Sequence, residues 1–335
     1  MVLGKPEITT DTNNYNTAIC MRILFVVSGN HSSISPITKN QGDSLVIYGK
    51  ENSEPIDVDY YLIKGNGLKG YLKNIRPLRR CINKGNFEVV HAHFSLSAYV
   101  ASLAGVRNLV VSLMGSDVKA SKLYKSIIRL FDFFFRWKAV IVKSDDMYRN
   151  LGIKHAMVVP NGVDFRRFVA MEQRQCQQQL GWNVDTRHVL FPSNPERPEK
   201  DWTLAKQALS GCVNAELHPM VNVPNDTTPL YYNAADVVLL TSKWEGSPNA
   251  IKEALACGRP IVSTAVGDVI ERTEGVSGCY VAQSREPEEL SELLRQALCF
   301  QGETNGREKL RRDGLDNLSI ARRLIEIYSK CISCE

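Results

Sequence analysis

Short apolar runs, separated by stretches of helical spacing, recur along almost the whole chain. Arg22–Val27, Glu88–Ala92, Leu109–Leu113, Ala139–Val142 and Met157–Val159 precede residue 165, and His188–Phe191, Val237–Thr241 and Ile261–Ser263 follow it. They are rich in Val, Ile and Leu, apolar on both faces and bounded by Gly, Ser or Pro. That pattern reads as strands covered on both sides within parallel sheets. Strand–helix alternation on both sides of residue 165 predicts two doubly wound α/β domains. At 335 residues the chain is long enough for two such cores. The turn Pro160–Asp164 marks the seam. Leu318, Ala321, Leu324, Ile325, Tyr328 and Ile332 recur at helical spacing and predict an amphipathic tail helix. The expected divisions are 1–20, 21–163, 164–307 and 308–335.

Composition narrows the classes further. With 44% hydrophobic and 23% charged residues, the sequence is not that of a disordered, collagen-like or coiled-coil chain. The apolar stretches Asn108–Met114 and Val237–Leu240 fall far short of the roughly 20 residues of a membrane-spanning helix. No basic start followed by an apolar run stands near Met1, so a cytoplasmic chain is expected. Residues 1–20 are polar and aperiodic, which predicts a disordered extension, and Met21 is a second candidate start. Nine scattered cysteines predict a reduced chain. The Cys331–Cys334 pair has no second pair, and neither a metal nor a redox role is expected of it.

Charge is divided unequally. Residues 21–184 carry 23 Lys and Arg against 12 Asp and Glu, whereas residues 185–305 carry 10 against 17. The two halves are expected to meet different partners. Lys64, Lys69, Lys73, Arg76, Arg79, Arg80 and Lys84 are interleaved with Tyr60, Tyr61, Tyr71 and Leu72. A second group, from Lys119 to Lys138, surrounds Phe131, Phe133, Phe134, Phe135 and Trp137. Basic, aromatic-rich segments of this kind predict peripheral contact with an anionic membrane surface. No recognition motif for nucleic acid accompanies the charge, so none is expected as a partner.

The segment from Asp236 to Thr264 carries the chemistry. A strand ends near Thr241, a loop follows, and Ser247 as N-cap with Pro248 at the first helical position predicts a helix that stops at Cys257-Gly258. Ligands of open parallel sheets lie beyond the carboxyl ends of the strands. A helix start there offers unpaired N–H groups and a partial positive charge to phosphate. Gly246 allows close backbone approach by a ligand. Glu245 stands in the loop, and the side chain of Glu253 leans back towards the helix start. A phosphate flanked by two sugars fits this layout, because carboxylates accept hydrogen bonds from vicinal hydroxyls.

Two Glu separated by seven residues, within EGSPNAIKEALACGRPIV, resemble the signature of the retaining glycosyltransferases of family 4. Supporting matches are HAHFSLSAYVASLAG (His91–Gly105), VVPNGVDFRRF (Val158–Phe168), RPEKDW (Arg197–Trp202) and PLYYNAADVVLL (Pro229–Leu240). The resemblance implies the GT-B fold: two Rossmann-like domains facing a cleft, with the C-terminal helix returning to the first. It implies an N-terminal acceptor domain and a C-terminal domain for a nucleotide diphosphate sugar. By position, Glu253 would hold the ribose and Glu245 the transferred sugar, beside the backbone of Gly246, Ser247, Pro248 and Asn249. Arg197 and Lys200 resemble the basic pair that neutralises the donor diphosphate, with Lys200 the firmer match. The loop Leu217–Pro224 would hold the base.

The first half departs from the family pattern at one place. Where many relatives carry a His facing the donor sugar, this chain has Met114, which cannot donate a hydrogen bond. Asp117 and His93 are the candidate substitutes. His91 and His93, two apart at a strand end, face one way, and His93 is expected to line the acceptor cleft. Gly29 closes the first strand ahead of Ser32-Ser33, and a role beside the acceptor follows only from that place. Asp57-Val58-Asp59 resembles the metal-binding DxD of the other glycosyltransferase fold, but its flanks fit a metal site poorly. No metal or cofactor is expected.

The leading expectation is transfer of a sugar from a nucleotide sugar to the hydroxyl of a lipid-linked or growing surface glycan, with retained configuration. Alternatives are hydrolysis or epimerisation of the nucleotide sugar, and a degenerate scaffold that only binds it.

Overall fold

The computed structural model describes residues 20–30, 34–115, 117 and 122–333. The expected extension lies outside these residues apart from Cys20, as do Ser32, Ser33, Ser116, Lys119 and Cys334.

The first sheet has six strands: β1 (Met21–Ser28), β2 (Ile56–Ile63), β3 (Val89–His93), β4 (Leu109–Ser112), β5 (Ala139–Val142) and β6 (Ala156–Val158). They pair in parallel in the order β2-β1-β3-β4-β5-β6. The second sheet has five: β7 (Arg187–Phe191), β8 (Ala215–Pro219), β9 (Val237–Leu240), β10 (Ile261–Thr264) and β11 (Cys279–Ala282). Their parallel order is β11-β10-β9-β7-β8. Both sheets are doubly wound, as the alternation predicts. The winding reverses between β1 and β3 in one and between β7 and β9 in the other, which opens a crevice at their carboxyl ends.

The strands named from sequence alone are mostly central. β3, β4, β5 and β9 are buried at every residue. The three strands that sequence reading did not delimit, β2, β8 and β11, are sheet edges. Between buried Ile56 and Ile63, β2 exposes Asp57 and Asp59 and only half buries the rest, so it lacks the continuous apolar run of a covered strand. Its Asp59 pairs with Arg22 on the neighbouring strand at 2.9 Å, an ordinary edge contact.

The tail helix Asn317–Ser333 packs against the helix Pro36–Glu51 and against β3, burying Ile320, Ala321, Leu324, Ile325, Ile327, Tyr328 and Cys331. Its Tyr328 hydroxyl lies 2.7 Å from His91 Nδ1. The chain therefore crosses between the sheets twice, and the crossings are bonded to each other. Val163 N–H donates to Leu315 O at 2.9 Å, and Asn317 N–H donates to Val163 O at 3.1 Å. Gly162 permits this contact, since a Cβ there would fall 2.8 Å from Asn317 Cα. Arg307 ties the crossing down by donating to the carbonyls of Phe165 and Phe168. Among the described residues, no helix is long and apolar enough to cross a membrane.

Candidate active site

A cleft of about 450 Å³ opens between the sheets. Its walls come from the carboxyl ends of both: Met114, Gly115, Lys143 and Asn161 on one side, and Pro192, Ser193, Met220, Leu240, Glu245 and Glu253 among those on the other. Arg197, Lys200, Gly246, Ser247, Pro248 and Asn249 also line it. The structure thus gathers the residues expected at the donor side other than the base loop, of which Met220 alone lines the cleft.

Lys200 and Glu245 form an ion pair, their side chains 13% and 15% exposed. Ser242 Oγ donates to the same carboxylate at 2.8 Å. Thr241 Oγ1 donates to the carbonyls of Lys200 and Asp201, and Lys243 N–H donates to Glu199 O, which lace the loop after β9 to the short 3-10 turn Pro198–Lys200. Arg197 is engaged differently. Its guanidinium pairs with Glu199 at 2.6 Å and is about half exposed.

Glu253 lies deeper. Tyr232 donates its hydroxyl to Glu253 Oε2 at 2.8 Å, and burial holds the carboxyl above its ordinary range against that hydrogen bond. The helix carrying it runs Asn249–Ala256. Its cap differs from the expectation by one residue. Pro248, with φ −68° and ψ 121°, is itself the N-cap, and no side chain caps the helix. Ser247 is taken by other partners: its hydroxyl donates to Asp268 Oδ2 at 2.8 Å and lies 3.1 Å from Lys252 Nζ. The first N–H groups therefore have no side-chain acceptor, at a helix start that lines the cleft.

Gly246 has a use beyond approach by a ligand. A Cβ on Gly246 would meet Met147 Sδ at 2.9 Å and Gly115 Cα at 3.1 Å, and a Cβ on Gly267 would meet Gly246 O at 2.4 Å. Gly115, Gly246 and Gly267 stack where the two sheets' loops touch.

The first-half candidates separate. Met114 lines the cleft, as its position predicts. Asp117 does not join it. Its buried carboxylate accepts from Ser95 N, Ser95 Oγ and Met114 N at 3.1, 2.6 and 2.7 Å, and burial raises it to about 6. It fastens the loop after β4, because a short acid surrounded by donors turns to them rather than to the cleft. Gly29 also stays out of the cleft lining: its N–H donates to Ile63 O, and a Cβ would strike Leu62 at 2.8 Å. His91 is fully bonded, to Tyr328 and to Ser112 Oγ. His93 stacks on it at 4.3 Å and leaves both ring nitrogens without a partner. It faces a neighbouring, mainly apolar chamber of about 470 Å³ shared with Val27, Ile37, Phe94 and Met114. Burial and the nearby Lys143 lower His93 to about 3, so the ring is neutral.

Sequence reading missed two cations. Lys143, at the end of β5, is buried, lines the cleft, and among the described residues has a single hydrogen bond, to Val159 O at 3.3 Å. Lys252 is buried behind the helix start and donates to Asn161 O at 2.7 Å. Among the described residues neither has a carboxylate within ion-pair distance. Burial and mutual repulsion lower Lys143 to about 7, and burial lowers Lys252 to about 8. The only sequence signal was a Lys directly after an apolar strand and another next to Glu253. The base loop is also shorter than expected, because Leu217–Pro219 belong to β8 and Met220 is the residue that reaches the cleft.

Two facing doubly wound sheets, a cleft at their carboxyl ends and a returning tail helix define the GT-B class. Residues 42–167 match the profile of Glycosyltransferase Family 4, and residues 173–299 match that of Glycosyl transferases group 1. Each half of the chain thus carries a glycosyltransferase profile, the two together spanning most of it, on a GT-B fold. A putative teichuronic acid biosynthesis glycosyltransferase, TuaC of Bacillus subtilis, is 27% identical over 210 residues, 54% of either chain. A D-inositol 3-phosphate glycosyltransferase of an Arthrobacter strain is 23% identical over 253 residues, 60% of this chain and 59% of the relative. The chain thus spans little more than half the length of the curated relatives it matches. Among solved structures, sucrose-phosphate synthase of Thermosynechococcus elongatus superposes with a TM-score of 0.76 at 15% identity, covering 94% of this chain and 100% of that one. Anabaena HepE in complex with UDP gives 0.70 at 17%, covering 92% and 100%. At such identities the likeness shows the fold.

Proposed function

We propose that the chain transfers a sugar from a nucleoside diphosphate sugar to an acceptor hydroxyl with retained anomeric configuration. The observation that carries this is the convergence of Lys200, Glu245, Glu253 and an uncapped helix start on one interdomain cleft. HepE, of the same fold, binds UDP and UDP-glucose, which supports a donor of that class.

Breaking the anomeric C–O bond places negative charge on the departing diphosphate. Lys200, Arg197 and the helix N–H groups stabilise that charge where it develops. Arriving diphosphate competes with Glu245 for Lys200, which releases the Glu245 carboxylate towards the sugar hydroxyls. Glu253, steadied by Tyr232, takes the ribose. Because Glu245, once released from Lys200, is still engaged by Ser242 and turns to the sugar hydroxyls, the reading favours attack on the same face, with the leaving phosphate accepting the proton, over a covalent intermediate on Glu245. The reaction is read as metal-independent.

The acceptor is read as a lipid-linked or surface glycan reached at an anionic membrane. The TuaC name supports a surface glycan. The helix Lys122–Phe135 supports the membrane, since it buries only Ile128 and exposes Phe133 and Phe134 at 76% and 68% among basic residues.

A thermal-shift screen of nucleoside diphosphates and their sugars tests the donor site, because tight binding raises the melting temperature by itself. Product analysis of the stabilising donor follows. A glycosylated acceptor with retained configuration is expected. Absence of any nucleotide effect, or free sugar as the sole product across an acceptor panel, would overturn the reading.

A further inference from the structure

On the edge of the second sheet, away from the cleft lining, two histidines and a glutamate converge. β7 and β8 run parallel with His188 opposite Glu216 and Leu190 opposite His218. Residues two apart on a strand share a face, as do partners in register, so His188, Glu216 and His218 project from one side. His188 Nδ1 stands 2.9 Å from His218 Nε2, and Glu216 Oε2 stands 3.6 Å from the same nitrogen. The three donor atoms lie within 4.8 Å of one another.

We propose that His188, Glu216 and His218 bind a divalent transition-metal ion of the zinc class. Such an ion sits about 2.0–2.2 Å from His nitrogen and carboxylate oxygen, which sets tetrahedral donors about 3.3 Å apart. The observed 2.9 and 3.6 Å bracket that spacing. The outer arrangement is already in place. His188 Nε2–H donates to Asn183 O at 2.8 Å, and a carbonyl can only accept, so in the neutral ring the Nδ1 lone pair is left facing the site. Trp182 lies flat on His218, ring centroids 3.8 Å apart, and 4.8 Å from His188. It fixes both rings on one side. Glu216 is exposed and gives the ion a way in, with water as the fourth ligand. Two imidazoles and one carboxylate suit zinc, cobalt, nickel or copper rather than magnesium or calcium. Bound there, the ion staples edge strand β8 to β7 two residues before Met220, the residue that reaches the cleft.

The test uses the full chain, stripped with a chelator and titrated with Zn²⁺ by calorimetry. Parallel titration with Cu²⁺ follows tryptophan fluorescence. One equivalent of Zn²⁺ binding at micromolar affinity or tighter is expected, with a rise in melting temperature. Cu²⁺ should quench a fraction of the emission that disappears in Trp182→Phe. His218→Gln should weaken Zn²⁺ binding by about 100-fold or more, and Glu216→Gln, at an exposed position, by about tenfold. No stoichiometric binding by the wild type would overturn the site. So would one equivalent bound with unchanged affinity in both His218→Gln and Glu216→Gln, since the ion would then sit elsewhere, for instance on cysteines.

Discussion

Lys200 and Glu245 neutralise each other at the mouth of the cleft, so the cation expected to meet a diphosphate is already occupied by the carboxylate expected to meet the sugar. Donor binding must exchange one partner for another. Lys200→Ala should therefore lower transfer by about two to three orders of magnitude, as loss of a group stabilising the leaving charge does. Glu245→Gln should act in opposite directions on two measurements. Freed of its competitor, Lys200 should bind nucleoside diphosphate alone more tightly, while steady-state transfer falls. Weaker diphosphate binding in Glu245→Gln would refute the exchange.

Glu253 is tied to the chain through Tyr232. Glu253→Ala should reduce transfer by orders of magnitude and weaken nucleoside binding. Tyr232→Phe, which removes one hydrogen bond from a buried carboxylate, should show a milder loss of the same kind. Calorimetric titration with the preferred nucleotide separates the two. Near wild-type binding in Glu253→Ala would remove it from the site.

Lys143 titrates at about 7 in the folded chain against about 10.4 when unfolded. Between those values the unfolded state binds more protons, so stability of the ligand-free chain rises with pH across that window; below it the cost of the buried charge is fully present. Lys252, at about 8, adds to the slope over the upper part. Lys143→Met should raise the urea midpoint most near pH 7 and little at pH 10. A midpoint difference between the two proteins that does not shrink as pH rises would contradict the burial of that charge.

At the glycine stack, Gly246→Ala should cut transfer by about tenfold or more through displacement of the facing loops, with nucleoside diphosphate binding largely kept. Comparing kcat with the affinity for diphosphate is the measurement. Equal loss of both would mean that the glycine serves the ligand rather than the contact between loops.

Phe133 and Phe134 contribute little to the core. Replacing both with Ser should leave the melting temperature nearly unchanged while weakening sedimentation with anionic vesicles by about tenfold or more, given what an aromatic side chain gains by burial. Unchanged vesicle binding would count against this helix as the membrane face.

The sequence disclosed what periodicity and local chemistry can carry. β3, β4, β5 and β9 stood out because strands covered on both sides must be apolar throughout, and the Glu245–Glu253 spacing marked a helix start at a strand end. β2 and β8 did not stand out, because an edge strand carries polar residues on its open side, here Asp57 and Asp59 in one and Glu216 and His218 in the other; β11, Cys279–Ala282, has one Val and no Ile or Leu. Asp117 looked like a cleft acid, yet only the fold shows it turned to Ser95 and Met114. Lys143 was silent for the opposite reason: nothing beside it in the chain says that it is buried, since Lys252 lies more than a hundred positions away and meets it only across the seam. Ser247 was assigned to the helix end because Asp268, its actual acceptor, is remote in sequence.

The paired crossings at Val163 and Leu315 have an architectural consequence. Because the chain leaves the first sheet and comes back to it side by side, the second sheet and its helices are, topologically, an insertion with adjacent ends. Residues 164–314 can be regarded as a cassette seated on a frame that the N-terminal segment and the tail helix complete together. Exchanging that cassette between relatives requires matching one pair of neighbouring junctions, which offers a route for the wall it lends to the cleft to change while the frame stays as it is.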